Sequence, residues 1–229
     1  MATIASHLRR IARRRQILFF PAFALVLFVP AGSLHFWQAW LFAFVFIAST
    51  SALAFYFMKH DPALIERRRA VGPAAESEPA QKIIMSMISA GFLLLVVVPG
   101  LDYRWHWSDV PTWLVLAADI GIVLSNAVFF VVMKQNSYAA STVRVEAGQP
   151  VISTGAYAVV RHPMYAGALL LLVCIPLALG SYWALLVLIL LVPLLAWRLL
   201  DEERYLTLNL PGYADYCRRV RHRLIPGIW

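Results

Sequence analysis

Six runs of apolar residues, divided by short polar stretches, limit this chain to very few folds. They are 16–29, 35–58, 83–98, 113–133, 164–179 and 181–197. About 20 apolar residues cross a bilayer as a helix, because in hydrocarbon each backbone N–H and C=O must be paired within the protein. Several runs are shorter than that, the first and fifth among them. Of the 229 residues, 61% are hydrophobic and only 14% charged, which excludes an ordinary soluble domain. The expected fold is an all-α integral membrane protein of about six transmembrane helices in one membrane domain. The first run follows Arg9, Arg10 and Arg13 to Arg15, so it also has the layout of a signal peptide. The apolar runs downstream favour an uncleaved anchor.

Charge gives an orientation. Six spans put both termini on one side, and 19 of the 20 Lys and Arg then fall on that side, with only Arg104 opposite. The positive-inside rule places both termini in the cytoplasm. The net charge of +8 therefore reports topology and contact with anionic membrane lipid. The charges are scattered over separate flanking loops, so nucleic acid is not an expected partner. Cys174 and Cys217 sit in no Cys/His cluster, so neither a metal site nor a disulfide framework is expected.

Between the runs, residues 7–15 read as a basic stretch near the headgroups or a plain topology signal. Pro30-Ala31-Gly32-Ser33 joins the first two runs as a hairpin. The longest polar stretch, 59–81, holds Asp61-Pro62, Glu66-Arg67-Arg68-Arg69, Gly72-Pro73 and Glu78-Pro79. It reads as a cytoplasmic loop with one short helix. Asp119 and Asn126 interrupt the fourth run and should face the bundle, Asp119 with a structural partner.

The densest chemistry lies in Thr154-Gly155-Ala156-Tyr157-Ala158-Val159-Val160-Arg161-His162-Pro163-Met164-Tyr165-Ala166-Gly167. Gly155 permits a turn that a Cβ would resist. Pro163 suits the first turn of a helix and pushes His162 out of helical dihedrals. Arg161, His162 and Tyr165 would thus ring a helix N-terminus, whose free N–H groups suit an acceptor or anion.

Gly180-Ser181 leaves room only for a tight turn between the last two runs. Counted outward from it, Pro163 and Arg198 each lie about 26 Å away along their helices. Residues 162–167 and 198–203 should therefore meet at one membrane face. The second group is Arg198-Leu199-Leu200-Asp201-Glu202-Glu203, in which Arg198 and Glu202 are spaced to pair. Carboxylates near a helix C-terminus are disfavoured by the helix dipole. Either the helix continues beyond them or they bind something cationic or rich in hydroxyls. The tail adds Gly212-Tyr213, Tyr216 and Arg221-His222-Arg223-Leu224-Ile225-Pro226-Gly227, which on its own could be a basic membrane skirt.

Over about 151–229, these motifs together resemble the isoprenylcysteine carboxyl methyltransferase family and its bacterial relatives. Arg-His-Pro-x-Tyr alone is shared with phospholipid methyltransferases and membrane steroid reductases. The glutamate pair at hairpin spacing makes the likeness more specific. The resemblance implies a multi-pass enzyme of the bacterial cytoplasmic membrane using S-adenosylmethionine. Its cofactor region would be 151–229, and helices within 1–150 would define the substrate. Gly155, Tyr157, His162, Tyr165, Gly167, Glu202, Glu203, Tyr213 and Tyr216 would bind the cofactor. Arg161, Arg198 and Glu202 would serve catalysis, the arginines by neutralising an anionic acceptor. That acceptor would be a lipophilic small molecule or a lipidated one. A carboxylate would attack without a base, whereas an amine or phenol would need one, and His162 is the available group. Two other readings stay open: a membrane NADPH-dependent reductase, and a non-catalytic membrane scaffold or transport subunit. The oligomeric state is not legible.

Overall fold

The computed structural model describes residues 21–76 and 78–229, and its regular elements are all helical. The basic stretch at 7–15 and the start of the first apolar run lie outside the described residues. The helices are α1 (Pro21–Ala31 over its described part), α2 (Trp37–His60), α3 (Pro62–Arg67), α4 (Pro79–Trp105), α5 (Thr112–Gln135), α6 (Ala156–Val159), α7 (Pro163–Ala178), α8 (Leu188–Asn209) and α9 (Tyr213–Arg219). A 3-10 turn, Trp183–Val187, leads into α8.

Among the described residues, four helices are long and apolar enough to cross a membrane: α2, α4, α5 and the continuous helix Trp183–Asn209. α1 and α7 are shorter apolar helices. The 16 residues of α7 rise about 24 Å, less than the roughly 30 Å of hydrocarbon in a bilayer. Where six spans were expected, the described residues therefore hold four of spanning length and two shorter ones.

Local sequence explains the boundaries. Pro62 and Pro79 stand in the first turns of α3 and α4, where a missing N–H costs nothing. The Asp61 carboxylate caps α3 by accepting from the Leu64 N–H at 3.0 Å. Gly180 has φ +70°. Its N–H reaches the Leu177 carbonyl at 3.0 Å, and the Ser181 N–H reaches the Pro176 carbonyl at 2.9 Å. This is the paired-bond turn that glycine provides after a helix, and it makes α7 and the last helix the expected hairpin. Ser181 Oγ donates to Asp102 at the end of α4, which also accepts from Ser108 N and Ser108 Oγ at 2.7 Å each. The hairpin is thus pinned at its closed end.

α5 and α7 form the closest helix pair. Small residues allow it: the Ser125 hydroxyl donates to the Gly167 carbonyl at 2.8 Å, and a Cβ on Gly167 would stand 3.0 Å from the Phe129 ring. Phe42, Leu95, Ile122, Leu171, Ile175 and Leu191 fill the core around this pair. Asn126 faces the bundle, donating to Ser49 Oγ at 3.2 Å and to the Ile122 carbonyl at 3.1 Å. Asp119 also faces inward, at 5% exposure, but neither carboxylate oxygen has a hydrogen-bond partner among the described residues. Among the described residues the structural partner expected from the sequence is not there.

Candidate functional site

The two ends of the hairpin meet at its open end. The Tyr165 hydroxyl donates to Glu202 Oε2. Glu203 is held by two guanidinium groups and an imidazole: Arg161 Nε at 3.1 Å, Arg223 Nε at 2.8 Å and His162 Nε2 at 3.2 Å. α8 runs past these acids to Asn209, so they sit inside the helix rather than at its C-terminus. The tail is no loose skirt. The Arg161 N–H donates to the His222 carbonyl and the His162 N–H to the Arg223 carbonyl, both at 2.9 Å. The main chain at 222–223 is therefore zipped onto the motif that precedes α7.

Gly155 sets the approach to that motif. It has φ 60° and ψ −128°, a conformation close to glycine's alone. A Cβ there would run into the Gln135 side-chain amide, whose Oε1 accepts from the Ala156 N–H at 2.9 Å. The turn starts α6 and brings Tyr157 against α5 and α9. Asn136 Nδ2 donates to the Tyr157 hydroxyl at 3.1 Å, and the Tyr216 hydroxyl donates to the Tyr157 carbonyl at 2.8 Å.

These contacts enclose a cavity of about 410 Å³, within the range of small-molecule sites. Its polar part is lined by Tyr157, Arg161, His162, Tyr165, Glu202, Tyr213 and Tyr216. Its apolar part is lined by Met85, Ile88 and Phe92 of α4, Phe129 of α5, Ala168 of α7 and Leu195 of α8. Burial pushes the Tyr157 phenol up to about 12, against the opposing hydrogen bond from Asn136. Burial also raises the Tyr213 and Tyr216 phenols. All three are therefore neutral hydroxyls near pH 7. The Tyr213 hydroxyl is buried and has no hydrogen-bond partner among the described residues, and Tyr213 lines the cavity.

Three expected site residues stand outside the lining. Gly155 makes the turn, Gly167 lets α7 approach α5, and Glu203 binds the tail. Arg161 and Arg198 do line the cavity, yet each already faces a carboxylate of the protein. Arg161 faces Glu203. Arg198 faces Glu76 at 2.8 Å, and also donates to Gln81 Oε1 at 2.7 Å and the Ser141 carbonyl at 2.9 Å. The expected pairing of Arg198 with Glu202 is replaced by these contacts to residues distant in sequence, while Glu202 takes Tyr165. Sequence reasoning missed Glu76, Gln81 and Arg68. Arg68 lines the same cavity from the end of α3.

Residues 113–210 match the family model for phospholipid methyltransferases. The matched stretch runs from the start of α5 through α8. It includes Gly155, Tyr157, Arg161, His162, Tyr165, Gly167, Arg198, Glu202 and Glu203, and leaves out Tyr213 and Tyr216. This domain suggests a membrane methyltransferase, in keeping with the four helices of spanning length. No curated protein matches the chain.

Proposed function

We propose that the protein moves a methyl group from S-adenosylmethionine to a lipophilic acceptor drawn from the bilayer, at a site on the cytoplasmic side with both termini. One observation carries this: a single cavity joins a hydroxyl- and carboxylate-lined pocket to an apolar channel between membrane helices. The polar part fits the donor chemically. Glu202 offers a carboxylate to a ribose hydroxyl or an ammonium group, and the half-buried Tyr157 offers a ring face to a nucleobase. When bound, the donor supplies an electrophilic methyl on a sulfonium. The chain's part is to hold both reactants in line and keep water out, which is where most of such a rate enhancement arises. Phe92 in the apolar part is 38% exposed, which supports entry from the lipid side. A hydrocarbon tail lying along Ile88, Phe92 and Leu195 would gain about 0.8 kcal/mol for each buried CH₂.

The acceptor head is a carboxylate, as in isoprenylcysteine. An amine head on a phospholipid is the second reading, favoured by the description of the matching family. In that case His162 takes the proton through Nδ1, since Nε2 faces Glu203. Labelled methyl transfer to farnesylcysteine analogues and to phosphatidylethanolamines of graded chain length tests both. Lengthening a short tail by two CH₂ groups should raise kcat/KM roughly tenfold, by the same 0.8 kcal/mol per CH₂. Transfer indifferent to tail length would contradict access from the bilayer.

A further inference from the structure

Four arginines line the cavity: Arg68, Arg144, Arg161 and Arg198. Three have carboxylate partners. Arg144 faces Glu146 at 3.2 Å, Arg161 faces Glu203 and Arg198 faces Glu76. Arg68 has none among the described residues. Its Nη1 donates to the Ala139 carbonyl at 2.9 Å and touches Met164 Sδ at 3.4 Å. Both contacts are neutral, and they use one of its three nitrogens. Nε and Nη2 have no partner among the described residues, and neither is sealed from solvent. Burial pulls the guanidinium below its ordinary value, and the facing group it feels is the Tyr157 phenol, itself neutral.

The neighbouring arginines show that this is a placement and not a general feature of the Arg67-Arg68-Arg69 run. Arg67 is spent on Glu146 at 2.9 Å and on the Tyr138 ring, and Arg69 on Glu66 at 2.8 Å. The intervening side chain alone turns to the cavity. A guanidinium presents a planar fork of donors matched to a carboxylate or phosphate. Leaving such a fork partly buried without counter-charge is unfavourable unless a ligand completes it.

We infer that Arg68 is the anion-binding residue of this cavity, pairing through Nε and Nη2 with a carboxylate or phosphate of a bound ligand. The inference rests on the methyltransferase reading for the ligand's role, not for the site itself. The anion has two possible sources: the head of the lipophilic acceptor, or the amino-acid carboxylate of the donor. Arg161 and Arg198, expected to neutralise the acceptor, each already face a carboxylate of the protein.

The test uses the full chain in detergent, as wild type, Arg68→Gln and Arg68→Lys, with calorimetry against four probes. Two are dodecyl phosphate and dodecanol; two are S-adenosylhomocysteine and its decarboxylated analogue. If the acceptor head supplies the anion, Arg68→Gln weakens dodecyl phosphate at least tenfold and leaves dodecanol unchanged. If the donor does, it weakens S-adenosylhomocysteine by that factor and spares the decarboxylated analogue. In either case Arg68→Lys keeps part of the affinity, because the charge remains while the fork is lost. Unchanged affinity for all four probes overturns the inference. So does an equal loss for all four, which would mark Arg68 as a brace for Ala139. A wild type that prefers neither anion over its neutral counterpart overturns it as well. Failure of S-adenosylhomocysteine to bind the wild type at all would count against the parent methyltransferase reading, while the phosphate pair still tests Arg68.

Discussion

Glu203→Ala is expected to destabilise the protein by about 3 kcal/mol and to release its tail. Removing one side of a buried ion pair leaves the other charge uncompensated, which costs more than the pair itself contributes. Here one carboxylate answers two guanidinium groups and an imidazole, and two of these three side chains are nearly sealed from solvent: those of Arg161 and His162 are 9% and 4% exposed. Without Glu203, Arg161 and Arg223 would repel each other across the main-chain bonds that zip 161–162 to 222–223. The tail would then leave, taking Tyr213 and Tyr216 from the cavity wall. The readouts are the thermal midpoint in detergent and limited proteolysis within 213–229. Glu203→Gln, which keeps the shape and some hydrogen bonds, should fall between. A midpoint and a cleavage pattern like those of the wild type would show that the triad does not hold the tail. Because Glu203 does not line the cavity, its loss should weaken any ligand through this disassembly.

Gly155→Ala is the second large effect. A residue with a Cβ at φ 60° and ψ −128° bears strain of about 1–3 kcal/mol. The added methyl also enters the space of the Gln135 amide. Relief requires Gln135 to move, which frees the Ala156 N–H and lets α6 shift. Tyr157 would then move away from Asn136, and the polar end of the cavity would open. The expected result is at least a tenfold loss of S-adenosylhomocysteine affinity with the membrane helices intact by circular dichroism. Gln135→Ala should give a smaller loss of the same kind, since it removes the bond without straining the chain. Wild-type affinity in Gly155→Ala would mean that the turn does not set the position of Tyr157.

Much of this arrangement was readable in the sequence, because it depends on local rules. Pro163 after His162 fixes where α7 begins, and Gly180 fixes where it ends. Helical rise then brings Tyr165 to Glu202 and His162 to Glu203. Which carboxylate does which task was not readable. Glu202 and Glu203 are neighbours in sequence but point in different directions around α8, one to the cavity and one to the tail. Only the docking of Arg223 reveals this. The ion-pair partner of Arg198 was hidden for a related reason. Its neighbour by helix spacing is Glu202, but its partner Glu76 lies over a hundred positions earlier, in a loop without periodicity. Arg68 was hidden inside a run whose overall charge has an adequate explanation in membrane topology. Span length was less legible, because apolar content locates a buried helix but does not give it length, as the 16 residues of α7 show.

The central claim is that the polar half of the cavity holds S-adenosylmethionine. Isothermal titration of the detergent-purified protein with S-adenosylhomocysteine and, separately, with NADPH tests it most directly, with Glu202→Gln as the matched variant. Saturable binding of S-adenosylhomocysteine, weakened about tenfold or more in Glu202→Gln, with no heat from NADPH, is the predicted result. Saturable binding of NADPH without S-adenosylhomocysteine, or binding of neither, would contradict it.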